Sequence, residues 1–363
     1  MIKSMMTEGA GRKTWLITSV FTLLLCCTTN AQELAPLSQT DPPPSAHVEL
    51  GKQLFFDGRL SGDATTSCAT CHNPDHAFTD NLPLSKGYPG TKYFRNTPTL
   101  INSFGQTYFY WDARMSGDDM PSLVRDHIAE AHFMQADGRL VIERLRQIPE
   151  YEAKFKEVMG GEPSYGKILN AVTAFVTSLR SENAPIDQYL NGDKSAMSES
   201  AIRGLELFKG KANCIQCHNG PRLTDGQIHR TGVPENKDVF ADPERHITFR
   251  RFMRTIGVGK CATLREDIGH ACVTKNDADN GGFRTPSLRE VSRTAPYMHN
   301  GSIETLEKVV AFYNDGGGDL KPLEMSVTEQ ADLVEFLKQL AGDKIKITKP
   351  ELPNYELREL GKF

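Results

Sequence analysis

Two stretches of this 363-residue chain hold reactive residues at an informative spacing: Cys68-Ala69-Thr70-Cys71-His72 and Cys214-Ile215-Gln216-Cys217-His218. Two thiols three positions apart can form thioethers to both vinyl groups of one haem, and the next histidine can reach the iron from below. The alternatives are a redox dithiol, a structural zinc or plain disulfides. A redox dithiol belongs in a thioredoxin-like βαβ context, which the sequence lacks, and leaves the histidine unexplained. Zinc needs two such half-sites brought together. Two covalently bound c-type haems are therefore expected, on Cys68, Cys71 and His72 and on Cys214, Cys217 and His218. Cys261 and Cys272 remain as a pair, for which a local disulfide is expected; two unpaired buried thiols are the alternative.

Compartment supports this reading. Residues 15–27 form the only long apolar stretch, preceded by Lys3, Arg12 and Lys13 and followed by Thr29-Asn30-Ala31. That pattern predicts an export signal, residues 1–31, cut after Ala31 and too short to span a bilayer comfortably. The alternatives are an uncleaved anchor, or lipid attachment at Cys26 or Cys27, neither of which follows a small residue. Exported thiols are usually paired, ligated or modified. The formal charge of −4 lacks the basic bias that nucleic-acid binding needs, so no nucleic-acid partner is expected. With 24% charged and 39% hydrophobic residues, the chain can bury a core, and its length suggests two domains.

The elements that must hold these residues are helical. After the Pro-rich linker, residues 32–47, Leu50 and Leu54 recur at helical spacing ahead of Cys68, as do Ile202, Leu205 and Phe208 ahead of Cys214. The two motifs lie about one domain length apart. A second echo sets Phe94-Arg95-Asn96-Thr97-Pro98 against Phe283-Arg284-Thr285-Pro286. Residues 165–179 and 302–313 read as helices, and Ser326-Val327-Thr328-Glu329 as a capping box before another. The expected fold is mostly α: two cytochrome-c-like haem domains, 48–195 and 196–345, with long loops and a tail, 346–363.

With these residues in view, the chain resembles the bacterial di-haem cytochrome c peroxidase and MauG family over residues 50–342. Leu54-Phe55-Phe56-Asp57-Gly58-Arg59-Leu60-Ser61, Arg95-Asn96-Thr97-Pro98, Trp111-Asp112-Ala113-Arg114 and Thr294-Ala295-Pro296-Tyr297-Met298-His299-Asn300-Gly301 carry the resemblance, with both haem motifs. It implies that one haem meets hydrogen peroxide while the other relays electrons, with a calcium ion between them. The matching calcium positions are Asn96 and the backbone oxygens of Thr294 and Pro296. By the same resemblance Trp111 lies between the haems, and Tyr313 falls where peroxidases of the family carry an axial methionine and MauG-like members an axial tyrosine. A core tyrosine, with Met298 or another methionine as ligand, is the alternative.

At the first haem the family's peroxidases often place a removable histidine before Arg-Asn-x-Pro. Here Lys86-Gly87-Tyr88-Pro89-Gly90 has none, and Tyr88 stands nearest. An open, five-coordinate iron on His72 is the expectation. For the distal acid and base that O–O cleavage requires, Glu130 is the candidate and His132 the runner-up. A strict count back from Ile148-Pro149-Glu150-Tyr151 puts Phe133 there instead.

Three functions follow. The first is a periplasmic peroxidase fed by a small cytochrome c or cupredoxin. The second is a MauG-like oxidase modifying Trp or Tyr of a partner protein through a high-valent iron state. The third is a non-enzymatic di-haem electron carrier, expected if both irons are capped. A homodimer and a role for the insertion, residues 232–281, stay open.

Overall fold

The computed structural model describes residues 33–355 except 39, 90 and 319. The expected export signal, residues 1–31, and the last part of the tail, 356–363, lie outside those residues. Thirteen α-helices are present among the described residues. In chain order they are α1 (Ser45–Phe56), α2 (Cys68–Cys71), α3 (Met120–Ala129), α4 (Gly138–Arg146), α5 (Pro149–Met159), α6 (Tyr165–Ser178), α7 (Pro185–Leu190), α8 (Glu199–Lys209), α9 (Asp238–Ala241), α10 (Pro243–Thr255), α11 (Ala271–Thr274), α12 (Leu306–Asn314) and α13 (Val327–Lys338). Strand is confined to two-residue antiparallel pairs, β1 (Tyr108–Phe109) with β2 (Met115–Ser116) and β3 (Ile228–His229) with β4 (Phe283–Arg284). Long loops carry the rest, as a fold wrapped around large cofactors requires. None of the described helices is long and apolar enough to cross a membrane.

The duplicated plan is visible in two helix crossings. On α1, Leu50, Gly51, Leu54 and Phe55 are buried, and Gly51 lies so close to α6 that a Cβ there would sit 1.9 Å from the Ala171 carbonyl oxygen. One turn on, Phe55 meets Phe175 with ring centroids 4.9 Å apart. The second crossing repeats the device. A Cβ on Gly204 of α8 would sit 2.0 Å from the Asp332 carbonyl oxygen of α13, and Phe208 meets Phe336 at 5.0 Å. In both, a glycine lets two backbones touch and an aromatic pair one turn later locks the crossing.

Two of the expected helices match closely. The 165–179 segment forms α6, burying Ile168, Leu169, Val172, Phe175 and Val176. Ser326 and Glu329 cap α13 reciprocally, each side chain accepting from the other's backbone N–H. The third starts late: residues 302–305 stay out of α12 because Ile303 bridges to Tyr297 and Thr305 caps the helix by accepting from the Lys308 N–H.

Three hydrophobic clusters follow this plan. One gathers α1, α3 and α6, and a second gathers α8, α12 and α13. The third is made by the insertion, whose Phe249, Phe252, Met253 and Cys272 close over Leu84, Tyr93 and Phe94. Cys261 and Cys272 are both free thiols, so the expected disulfide is not formed. Cys272 points its sulfur at Asp112 Oδ2, 3.6 Å away, and Cys261 packs at the edge of the same cluster. Apolar packing closes this segment without a cross-link.

The crossings yield a direct test. Gly51→Val and Gly204→Val should each destabilise the protein by about 2 kcal/mol or more, because a branched side chain must push two backbones apart. Urea midpoints of the holoprotein check this. Gly166→Ala, with nothing within 4 Å of the added Cβ, should leave the midpoint unchanged or raise it.

Candidate active site

Each C-x-x-C-H segment folds into one short turn that aims its histidine the same way. The His72 N–H donates to the Cys68 carbonyl at 2.9 Å, and the His218 N–H to the Cys214 carbonyl at 2.9 Å. Each ring then commits its Nδ1: His72 to the Phe78 carbonyl at 3.0 Å, His218 to that of Leu223 at 3.1 Å. A carbonyl only accepts, so the neutral ring carries its proton on Nδ1 and leaves the Nε2 lone pair for a metal. Burial pushes both imidazole pKa values down, which keeps that lone pair available. Backbone oxygens of Pro98 and Pro286 also face His72 and His218 respectively. The sequence echo around those prolines thus supports the two histidines in parallel.

Beside Cys68, Cys71 and His72 opens a cleft whose empty space, its solvent-open mouth included, is about 1280 Å³. Its wall includes Phe55, Leu100, Phe109, Trp111, Phe133 and Val176, an apolar lining suited to a porphyrin. Arg284 also reaches this wall. It is 7% exposed, forms no ion pair among the described residues, and its side chain donates one long hydrogen bond, 3.3 Å, to the Tyr110 carbonyl. Burial without a neighbouring carboxylate pushes its pKa down to about 10. A buried cation needs an anion, and a haem propionate reaching this wall would supply one. The residues present therefore fit the group that the motif implies.

Trp111 ties the two halves of the site together. Its indole N–H donates to the Asn96 carbonyl at 2.9 Å, and its own carbonyl accepts from the Arg284 N–H of β4 at 2.9 Å. It thus lines the first cavity while bonded to the strand that leads to Pro286 and His218. Asn96 is the expected calcium ligand. Its side-chain amide donates to the Leu82 and Pro83 carbonyls, so no protein donor takes Oδ1 among the described residues. Its backbone N–H donates to the His299 carbonyl at 2.7 Å, joining the segment of Asn96 to the one that carries Thr294 and Pro296.

Behind this wall stands a buried charge cluster. Arg95 donates to Asp112 Oδ2 at 2.7 Å and, through Nε and Nη2, to both Asp267 oxygens at 2.6 and 2.9 Å. Asp112 also receives Arg114 at 3.1 Å. Burial alone would raise the pKa of both carboxyls, but the guanidinium charges reverse this and hold them below the usual range. Asp267 belongs to the insertion, whose role is thereby partly structural: it completes the pairing of an arginine on the cavity wall.

At the second site Tyr313 of α12 is close enough to Cys214 and Cys217 for their charge to bear on it. Burial pushes the phenol up to about 12, opposed by a hydrogen bond with Thr231 and aided to a smaller extent by the two thiols.

The distal candidates are placed differently from expectation. Helix α3 ends at Ala129, and Glu130 is its extended C-cap, so the chain turns away before the side chain can face the cavity. Glu130 Oε2 lies 2.8 Å from His132 Nε2, so the two candidates face each other. His132 stacks on Tyr93 at 5.1 Å and touches Phe133 at 4.3 Å, and both of those rings do line the cavity. Tyr88 packs against Gly62 and is not among the cavity residues.

The residue that does face His72 is His127, which the sequence reading passed over. It lies on the same α3 face as Leu123, and its ring centroid is 6.3 Å from that of His72. Its Nδ1 is 2.9 Å from the Leu123 carbonyl, so here too Nε2 is left free. Burial, with His72 next, pushes its pKa down to about 4. The available signal was the apolar stripe of Met120, Leu123, Val124 and Ile128, into which His127 is set at i+3 and i+4.

Comparison with known proteins decides the family. The family model described as di-haem cytochrome c peroxidase matches residues 45–195. Cytochrome-c peroxidase IdrP2 of Denitromonas iodatirespirans is 48% identical over 333 residues, 91% of each chain. The chain belongs to the di-haem cytochrome c peroxidase and MauG family. Methylamine utilization protein MauG of Methylorubrum extorquens is 35% identical, covering 88% of this chain and 85% of its own. A solved MauG-like protein associated with microbial copper homeostasis superposes with a TM-score of 0.70 at 29% identity, covering 86% of this chain and 94% of its own. The mostly helical fold and the family anticipated from the motifs both hold, and the family's name implies two haems.

The charge cluster makes a prediction with a definite sign. Asp112→Asn and Asp267→Asn should each cost about 3 kcal/mol, since removing one partner leaves a buried charge under-compensated. Because both carboxyls titrate lower folded than unfolded, their stabilisation is present above about pH 4 and lost as pH falls below it. Denaturant midpoints between about pH 3 and 7 should therefore fall less steeply at the acid end in each variant than in the wild type.

Proposed function

We propose that this chain is a di-haem c-type peroxidase that reduces hydrogen peroxide to water. The observation that carries this reading is the large apolar cavity beside Cys68, Cys71 and His72, with the His72 Nε2 lone pair free. When bound, the haems supply an iron at which the O–O bond can be broken and a store for the two electrons required. Cys68 with Cys71, and Cys214 with Cys217, would hold the two porphyrins as thioethers, and His72 and His218 would offer Nε2 to their irons. Arg284 balances a propionate. Trp111 couples the halves through its bonds to Asn96 and Arg284. His132 stands one ring behind the cavity, stacked on Tyr93, so a proton from the Glu130–His132 pair would reach the cavity by way of the Tyr93 hydroxyl. Asn96, Thr294 and Pro296 hold one calcium ion, a hard cation suited to oxygen donors. The electron donor in this reading is a small cytochrome c or cupredoxin, the compartment the periplasm, and the two haem units span 48–195 and 196–345.

Tyr313 favours a second reading. As an anionic ligand opposite His218 it would stabilise ferric iron, whereas a thioether would raise the potential. That bias suits a MauG-like oxidase acting on Trp or Tyr of a partner protein, for which Trp111 is an oxidisable relay.

Oxidation of a reduced small cytochrome c on adding peroxide, two equivalents per peroxide, is the expected outcome. Its absence, together with a mass change on a Trp or Tyr of a partner, would replace the first reading with the second. Tyr313→Met should abolish a tyrosinate charge-transfer band and raise the potential of the second haem, both measured in a spectroelectrochemical titration. An unchanged spectrum would remove Tyr313 from the coordination sphere.

A further inference from the structure

We propose that His127 is the sixth ligand of the haem held by His72, so that this iron is closed by two imidazoles at rest and opens to peroxide only when His127 leaves. The assignment rests on the haem reading of Cys68, Cys71 and His72.

Distance makes the first argument. A metal–imidazole bond is about 2 Å, and the ring centre lies roughly 1 Å beyond its nitrogen, so two rings sharing one metal have centroids roughly 6 Å apart. The observed separation is 6.3 Å. A histidine that served only as a distal base would need room for peroxide between itself and the iron. Its ring would then lie further away by about the length of a hydrogen bond, ~3 Å.

Hydrogen bonding makes the second. His72 and His218, the two proximal histidines, each tie Nδ1 to a backbone carbonyl and leave Nε2 free. Among the residues that line this cavity His127 repeats that arrangement, through the Leu123 carbonyl one helical turn back. Such an outer bond fixes the tautomer and the direction of a ligating ring.

Rigidity makes the third. The His127 ring stacks on Phe133, 4.3 Å away and tilted by 8°, and lies parallel to the neighbouring Tyr110 ring, 5.6 Å away and tilted by 3°, whose hydroxyl is 3.4 Å from Nδ1. Phe133 stands at the position a count from Ile148-Pro149 assigns to a distal acid, and here that position supplies an apolar plate holding an imidazole. The pre-Arg95 loop has no histidine, so closure of this iron moves from a loop to a helix.

The consequence is an exchange of donors at the iron. The bond to His127 Nε2 breaks, the neutral imidazole keeps its lone pair, and the face opposite His72 becomes open to peroxide. No electron changes hands in that step.

The test uses ferric holoprotein with two haems per chain, examined by electron paramagnetic resonance and optical spectroscopy. The wild type should show no high-spin haem. His127→Gly should show one per chain, and added imidazole should return it to low spin. Because a bound ligand lowers the fraction of competent sites, cyanide should bind the variant faster by about tenfold or more. If the glycine variant does not fold, His127→Met should replace the bis-imidazole signature of one haem with that of a thioether ligand. A high-spin haem in the resting wild type, or a low-spin spectrum unchanged in the variant, overturns the assignment. Peroxide turnover is scored separately. Expected spin states without peroxide reduction would end the peroxidase reading and leave the ligand standing, whereas turnover by a wild type with a high-spin haem would do the reverse.

Discussion

A histidine that has already given its Nδ1 proton to a carbonyl can do only one further thing at a metal, which is to present Nε2. This constraint recurs at His72, His218 and His127, and much of the structure serves to impose it. The short turns at Cys68 and Cys214 set the rings of His72 and His218, with the carbonyls of Phe78 and Leu223 as their anchors. A whole turn of α3 and the stacked ring of Phe133 set the third.

Supporting these rings takes two scales of packing. Locally, the glycine-mediated crossings of α1 with α6 and α8 with α13 bring the helices of each half into backbone contact and bury the aromatic pairs Phe55–Phe175 and Phe208–Phe336. At longer range, Arg95 joins the first half to the insertion through Asp267 and to the Trp111 loop through Asp112. The second link fixes the loop that carries the indole between β4 and Asn96. Charges buried this deeply hold their geometry because each departure exposes an uncompensated ion to a low-dielectric interior.

The contrast between Arg95 and Arg284 is instructive. Both are buried at the wall of one cavity, yet Arg95 is paired with two carboxylates and Arg284 with none. Arg95 is satisfied by the protein itself, whereas Arg284 would be balanced by an anionic cofactor edge, and on that proposal haem binding would stabilise the state that buries it.

What the amino-acid sequence determined by itself was the chemistry that depends on covalent spacing. Two cysteines and a histidine within five residues specify an attachment turn wherever they lie, and helical periodicity marked α6 and the capped start of α13 because both signals are local. The echoes around Pro98 and Pro286 were legible for the same reason. Tertiary structure alone decided which groups face one another across the cavity. Helix α3 ends one residue before Glu130, which turns that carboxylate and His132 behind Tyr93 and Phe133, and the same helical phase brings His127 over His72. The sequence shows all three residues within six positions, but His127 lies inside α3 whereas Glu130 and His132 follow its end, where the backbone direction and not helical periodicity decides what they face. Cys261 and Cys272 make the same point: their closeness in sequence suggested a bond, and the packing of Phe249 and Phe252 made one unnecessary.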